Sequence, residues 1–239
     1  MHFHLPKPLH GWREFLGEVG IIVVGVLIAL GAEQVVQSFE WNHRIHASEA
    51  AMLQELSDDD GPQAYARYAV HECLQNRLNL IRTAVGQSRS RQQVIALASA
   101  YRAPFWTWDS LALAAANSSN VFTQMEPSVA QRWAGAYTVM PALDRANERE
   151  FQDQADLAGI ASGDGPLSSD ERTTIVRAVE HLRQDEFQIF AAVRVLLPQL
   201  YELGARFQPQ QVRALLARFP NSARCLITPP ARSANAPRL

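Results

Sequence analysis

Lysine is almost missing from the chain: Lys7 is the only one in 239 residues. Arginine supplies the remaining basic side chains, a bias that GC-rich coding explains, and the formal net charge is −2. No globally basic face therefore points to nucleic acid. Cysteine is scarce as well. Cys73 and Cys225 fit neither a Cys-x-x-Cys motif nor a zinc-ligand spacing. In an oxidising compartment they could close one long loop, but spacing alone leaves that open against two unrelated thiols. β-Branched residues are sparse outside the opening segment, which argues against strands and, with abundant alanine, for helices. A Gly-rich phosphate loop, a Walker pattern, a Gly-x-Ser-x-Gly elbow and an internal repeat are all lacking. What is present is an ordinary globular balance, 47% apolar and 19% charged, enough for one sizeable domain and an accessory segment.

The most informative stretch is GEVGIIVVGVLIALGAEQ, Gly17 to Gln34. Val19 to Ala32 carries no charge and no polar stripe, unlike the helix of a soluble core. At ~1.5 Å per residue that run covers only about 21 Å; extended to Phe15 and Val36 it covers about 33 Å, against a hydrocarbon core of ~30 Å. Glu18 and Glu33 then fall near the interfaces, where a carboxylate is tolerated far better than at the midplane. Trp12 and Trp41 bracket the segment at a helical separation of about 43 Å, where an aromatic belt belongs. A transmembrane span is the favoured reading. A signal peptide cleaved after Ala29-Leu30-Gly31 and a buried soluble helix are the alternatives. Lys7 and Arg13 precede the run and Arg44 alone closely follows it, which predicts a cytoplasmic N-terminus and a translocated body.

This opening run, with Trp41, Arg44 and the downstream FWTWDS and RWAGAY stretches, resembles a group of Gram-negative bacterial proteins. They share an N-terminal span and a helical domain of unknown function. The resemblance implies a single-pass inner-membrane protein; in a Gram-negative cell the translocated body that the basic-residue bias predicts would be periplasmic. It brings no activity, cofactor or catalytic residue.

The expected fold is all-α, with the transmembrane helix continuing into an up-and-down helical bundle. The expected divisions are a cytoplasmic segment 1–14, a span 15–36, a bundle 37–219 and a flexible tail 220–239. Pro6 and Pro8 should stay outside the span helix, which runs on to Leu56. Ser57 to Pro62 reads as a stop and restart. Leu74, Leu78, Ile81 and Val85 mark a helix ending at Gly86. Further helices are expected over Ser90–Tyr101, Thr107–Asn117 and from Pro127, with a kink or break at Pro141. Leu143, Asn147, Phe151 and Ala155 then continue the apolar face. After a Gly-rich linker from Gly159 to Pro166, a Ser168/Glu171 capping box opens a long helix with a possible break at Pro198. Pro209 to Phe219 is the last helix.

Two sets of residues are candidate sites. Trp106, Trp108, Asp109, Trp133 and Tyr137 either line a small-ligand pocket or anchor the bundle core. Glu18, Gly25, Ala29, Ala32 and Glu33 share one side of the span, and the small Gly25/Ala29 pair suits close approach of another helix. Glu40, His43 and His46 have ligand-like spacing but lack a second Glu-x-x-His, and in HECLQ Gln75 stands where a zincin needs histidine. No metal and no cofactor is expected. The mixed-sign runs Arg145–Glu150 and Asp170–Arg172 read as solvated faces. The expected role is a membrane-anchored, non-enzymatic interaction or sensing protein, with the lipid bilayer and a second copy or a membrane protein as partners. A ligand-binding protein or enzyme, and a secreted helical protein, are the alternatives.

Overall fold

Helix formers dominate the chain, and every regular element among the described residues is helical. The computed structural model describes residues 11–108, 110–161 and 164–226. Pro6, Pro8, Asp109 and residues 227–239 lie outside them. Helix α1 is Gly11–Glu55 and passes through a π-helical turn, Leu56–Asp60, into α2, Gly61–Gly86. Then follow α3 (Arg91–Ala100), α4 (Leu111–Ser118), α5 (Val121–Gln124), α6 (Pro127–Thr138) and α7 (Met140–Ala161). The last are α8 (Ser169–Leu203), α9 (Pro209–Ala217), α10 (Pro220–Ala223) and a 3₁₀ turn, Arg224–Leu226. The chain divides into two compact units, Met1–Ala47 and Ser48–Leu239.

In the first unit the α1 residues from Phe15 to Glu40 are all exposed. In the second, α2 and α7 make the most extensive packing, both against α8, and α3, α6 and α9 add to this core. The expected α8 stripe (Ile175, Val179, Leu182, Ile189, Val193, Leu196 and Leu200) is buried throughout. It meets Leu74, Leu78 and Ile81 in the same core, and removal of these apolar surfaces from water is the main favourable contribution to this unit. Capping boxes form at Ser90/Gln93 and Ser168/Glu171. Arg91 ties the start of α3 to the start of α8, donating to the Gly165 carbonyl at 2.7 Å and pairing with Glu171 at 2.7 and 2.9 Å.

Several expectations are corrected. The stop at Ser57–Pro62 is a π turn with helical backbone at Asp60 and Gly61, and Pro62 sits in the first turn of α2, where its missing N–H breaks nothing. Pro198 does not break α8, which ends at Gly204 in the left-handed conformation. The Ala-rich helix starts at Leu111 rather than Thr107. Asn147 Nδ2 donates to the Trp106 carbonyl at 2.6 Å and the Trp108 N–H donates to Asp144 at 2.9 Å, so the preceding backbone is held along α7 instead of coiling. On α7 the buried face is Leu143, Ala146, Asn147, Glu150 and Leu157, whereas Phe151 and Ala155 are exposed. A strict four-residue spacing drifts around a 3.6-residue helix, so the buried stripe needs threes as well as fours.

The tail expected from Pro220 is also corrected. Residues 220–226 are folded, because Cys225 is bonded to Cys73 across 152 residues of chain. Arg77 donates to the Asn221 carbonyl at 2.7 Å, and Ser222 donates to that of Arg102. The cross-link excludes many unfolded conformations, about 5 kcal/mol in the chain-entropy account for a loop of this length.

The π turn rests on Gly61. A Cβ there would lie 2.6 Å from the Leu56 carbonyl oxygen and 2.7 Å from the Phe207 ring. Gly61→Ala is expected to lower stability by about 1–3 kcal/mol, visible as a fall in thermal unfolding midpoint by circular dichroism of the detergent-solubilised protein.

Candidate functional site

The five residues of the proposed association stripe lie on one unbroken helix. Glu18, Gly25, Ala29, Ala32 and Glu33 are exposed, and nothing lies within 4 Å of a Cβ built on Gly25. Glu33 accepts a bond from Gln37 one turn on, at 3.3 Å. Around them Ile21, Ile22, Leu27 and Ile28 are 61–76% exposed, an apolar surface that none of the described residues covers.

The aromatic set occupies two places. Trp106 and Trp108 are buried along α7, with Trp106 edge-on to Phe219 at 5.5 Å. Trp133 and Tyr137 are buried against residues 49–55. Trp133 Nε1 donates to Glu49 at 3.4 Å, and the Tyr137 hydroxyl donates to Glu55 at 2.7 Å. Glu55 also accepts the Ala112 N–H at 2.9 Å, so one carboxylate holds α4 and α6 together. Among the described residues no ring contact joins the Trp106/Trp108 pair to Trp133 and Tyr137. A polar cleft of about 330 Å³ opens instead between α7 and α8, lined by Arg149, Asp153, Asp156, His181, Asp185 and Gln188 among others. Burial and then the neighbouring Asp185 raise the Asp153 carboxyl.

The densest chemistry is a buried charged junction that the sequence reading passed over. Arg67 of α2 is 1% exposed. Its Nη1 donates to the Pro104 carbonyl at 2.9 Å, and its Nη2 donates to Glu150 of α7 at 2.7 Å and to Glu186 of α8. The Tyr101 hydroxyl donates to the other Glu150 oxygen at 2.8 Å. His71, one turn from Arg67, meets the other Glu186 oxygen through Nδ1 at 3.1 Å, and its ring stacks on Phe190 at 3.7 Å.

Burial raises both carboxyls above their ordinary range, Glu150 up to about 8, although Arg67 works the other way. Glu186 pushes Glu150 further up, so any proton the two carboxyls hold belongs to the pair. Burial and the Arg67 charge lower His71 to about 4. It is therefore neutral near pH 7, with Nδ1 within hydrogen-bonding distance of Glu186.

Glu150 corrects the reading of Arg145–Glu150 as a solvated face: it is 1% exposed, while Glu148 and Arg149 point outward. The signal was available in the spacing, since Leu143, Asn147 and Glu150 follow a four-then-three interval on the apolar stripe. Cys73, next to the junction in sequence, is committed to its disulfide. No family model, no curated protein and no solved structure matches the chain. The functional reading therefore rests on its own residues.

Arg67→Met removes the one guanidinium that both carboxyls share. A loss of about 3–5 kcal/mol is expected at pH 7, measured as a lowered unfolding midpoint; a change under about 1 kcal/mol would show that the junction contributes nothing to holding α2, α7 and α8.

Proposed function

We propose that this is a single-pass membrane protein. Residues 15–36 lie in a lipid bilayer, and the helical body works without catalysis as an interaction or sensing module in an oxidising compartment, the periplasm of a Gram-negative cell. The observation that carries this reading is the exposed α1 surface. An uncharged run from Val19 to Ala32 with every residue exposed is far more apolar surface than a water-soluble monomer leaves open. Lipid satisfies such a surface, and the helix meets its own backbone hydrogen-bonding needs internally.

Two further features support the reading. The Cys73–Cys225 bond suits a compartment in which thiols are oxidised. The bias of basic residues toward the N-terminal side suits a body on the far side of the inner membrane. Gly25 and Ala29 would let a second copy, or another membrane helix, approach closely.

The test is fractionation. The full chain should stay with carbonate-washed membranes, and a tag after Leu239 should be cut by external protease in spheroplasts. Its thiols should react with maleimide only after reduction. Release by carbonate, a protected tag, reactive thiols without reductant, or a chain isolated without Met1–Gly31 would each overturn this topology. Gly25→Ile with Ala29→Ile should weaken self-association in detergent, read by cross-linking; an unchanged oligomer would remove the stripe from the interface.

A further inference from the structure

We infer that the Arg67–Glu150–Glu186 junction is a one-proton lock: it is closed with a proton shared between the two carboxyls, and loss of that proton to alkaline solution weakens the joint between α2, α7 and α8. The inference concerns the folded body alone and stands or falls independently of the membrane reading.

The geometry sets the charge count. From α2 the junction receives Arg67 and His71, with Glu72 acting on His71 from the same helix. The segment before α4 brings the Tyr101 hydroxyl and the Pro104 carbonyl, α7 brings Glu150, and α8 brings Glu186. Arg149 and Asp185, which flank the two glutamates, pair with each other at 2.9 Å and add no net charge. One guanidinium thus faces two carboxyls, each side chain 1–2% exposed. With both ionised, a negative charge would be left buried without a counter-ion, and a group so placed takes up a proton instead. Like charges converging on one nitrogen cannot both persist, as in other paired carboxyls.

His71 supplies the outlet. Its side chain is 13% exposed while its Nδ1 touches Glu186, so it links the buried pair to solvent. Being neutral near pH 7, it does not replace the missing counter-charge.

The direction of the pH response follows. An unfolded glutamate releases its proton near ~4.3, whereas folded Glu150 keeps it up to about 8. Between these values folding takes up a proton. The folding equilibrium constant therefore falls by up to about tenfold per pH unit as pH rises, and the slope ends above the folded value. His71 acts oppositely below ~6.5, since the unfolded chain protonates it and the folded one does not until about 4. The carboxyl pair consequently acts alone between about pH 6.5 and 8.

The test uses the full chain in detergent micelles. Infrared spectra in D₂O should show the C=O band of a protonated carboxyl at neutral pH, lost as pH rises past about 8. Glu150→Gln should lack that band, and its unfolding midpoint should stay flat where the wild type falls. The lock is overturned if wild type shows no such band at neutral pH, or if Glu150→Gln keeps the band or the wild-type slope. Should the variant fail to fold, the wild-type band and its loss on alkalinisation decide the matter.

Discussion

Two carboxyls and one guanidinium, all withdrawn from water, are the constraint on which the second unit depends. Arg67 joins α2 to α7 and α8 through a single Nη2, and its other terminal nitrogen holds the segment that leads from α3 toward α4. Such a group contributes little net stability compared with an apolar replacement of similar volume. Its effect is asymmetric: the hydrogen bonds gained by closing are modest, whereas a missing partner strands a charge in a low-dielectric interior. The helices around it must therefore arrive together and in register.

The first unit poses a different problem. None of the described residues covers its long apolar helix, and in the proposed reading lipid supplies that cover. The contrast with the body is instructive. There, several polar groups find partners within the chain: Tyr137 and Ala112 on Glu55, Asn147 on the Trp106 carbonyl, Arg77 on the carbonyls of Ala100 and Asn221. In the exposed run there are scarcely any polar side chains to satisfy, and the helix backbone satisfies itself.

The helical character was legible because it rests on period and punctuation. Ser168 with Glu171, Pro127, Gly86 and the α8 stripe are local signals, and the structure obeys each of them. Where it departs, a partner distant in sequence decides. Thr107 does not begin a helix because Asn147 and Asp144 have claimed the neighbouring backbone. Residues 220–226 do not fray because Cys73 lies 152 residues back. The charged junction was illegible for the same reason. Spacing puts Glu150 on the buried face of its helix, but nothing local reveals that Arg67, Glu150 and Glu186, 83 and 119 residues apart, meet one another. The Trp residues, singled out as one cluster, were legible as buried rings but not as two separate anchors.

Why such a body should carry ionisable groups in its core at all is a question of alternatives rather than of stability. Leu74, Leu78, Ile81, Ile175, Val179, Leu182 and Ile189 could pack in neighbouring registers with similar area buried, because apolar contact is non-directional. A guanidinium that must reach two carboxyls, a carbonyl and, through them, a tyrosine and a histidine has far fewer solutions. A slide of either helix by one turn would move its glutamate by about 5.4 Å, out of reach of Arg67. Apolar packing thus supplies the driving force, and the buried ion cluster selects one arrangement from those that packing alone would permit. A selector built on a shared proton is also one that solution conditions can reach, which an all-leucine core at the same place could not be.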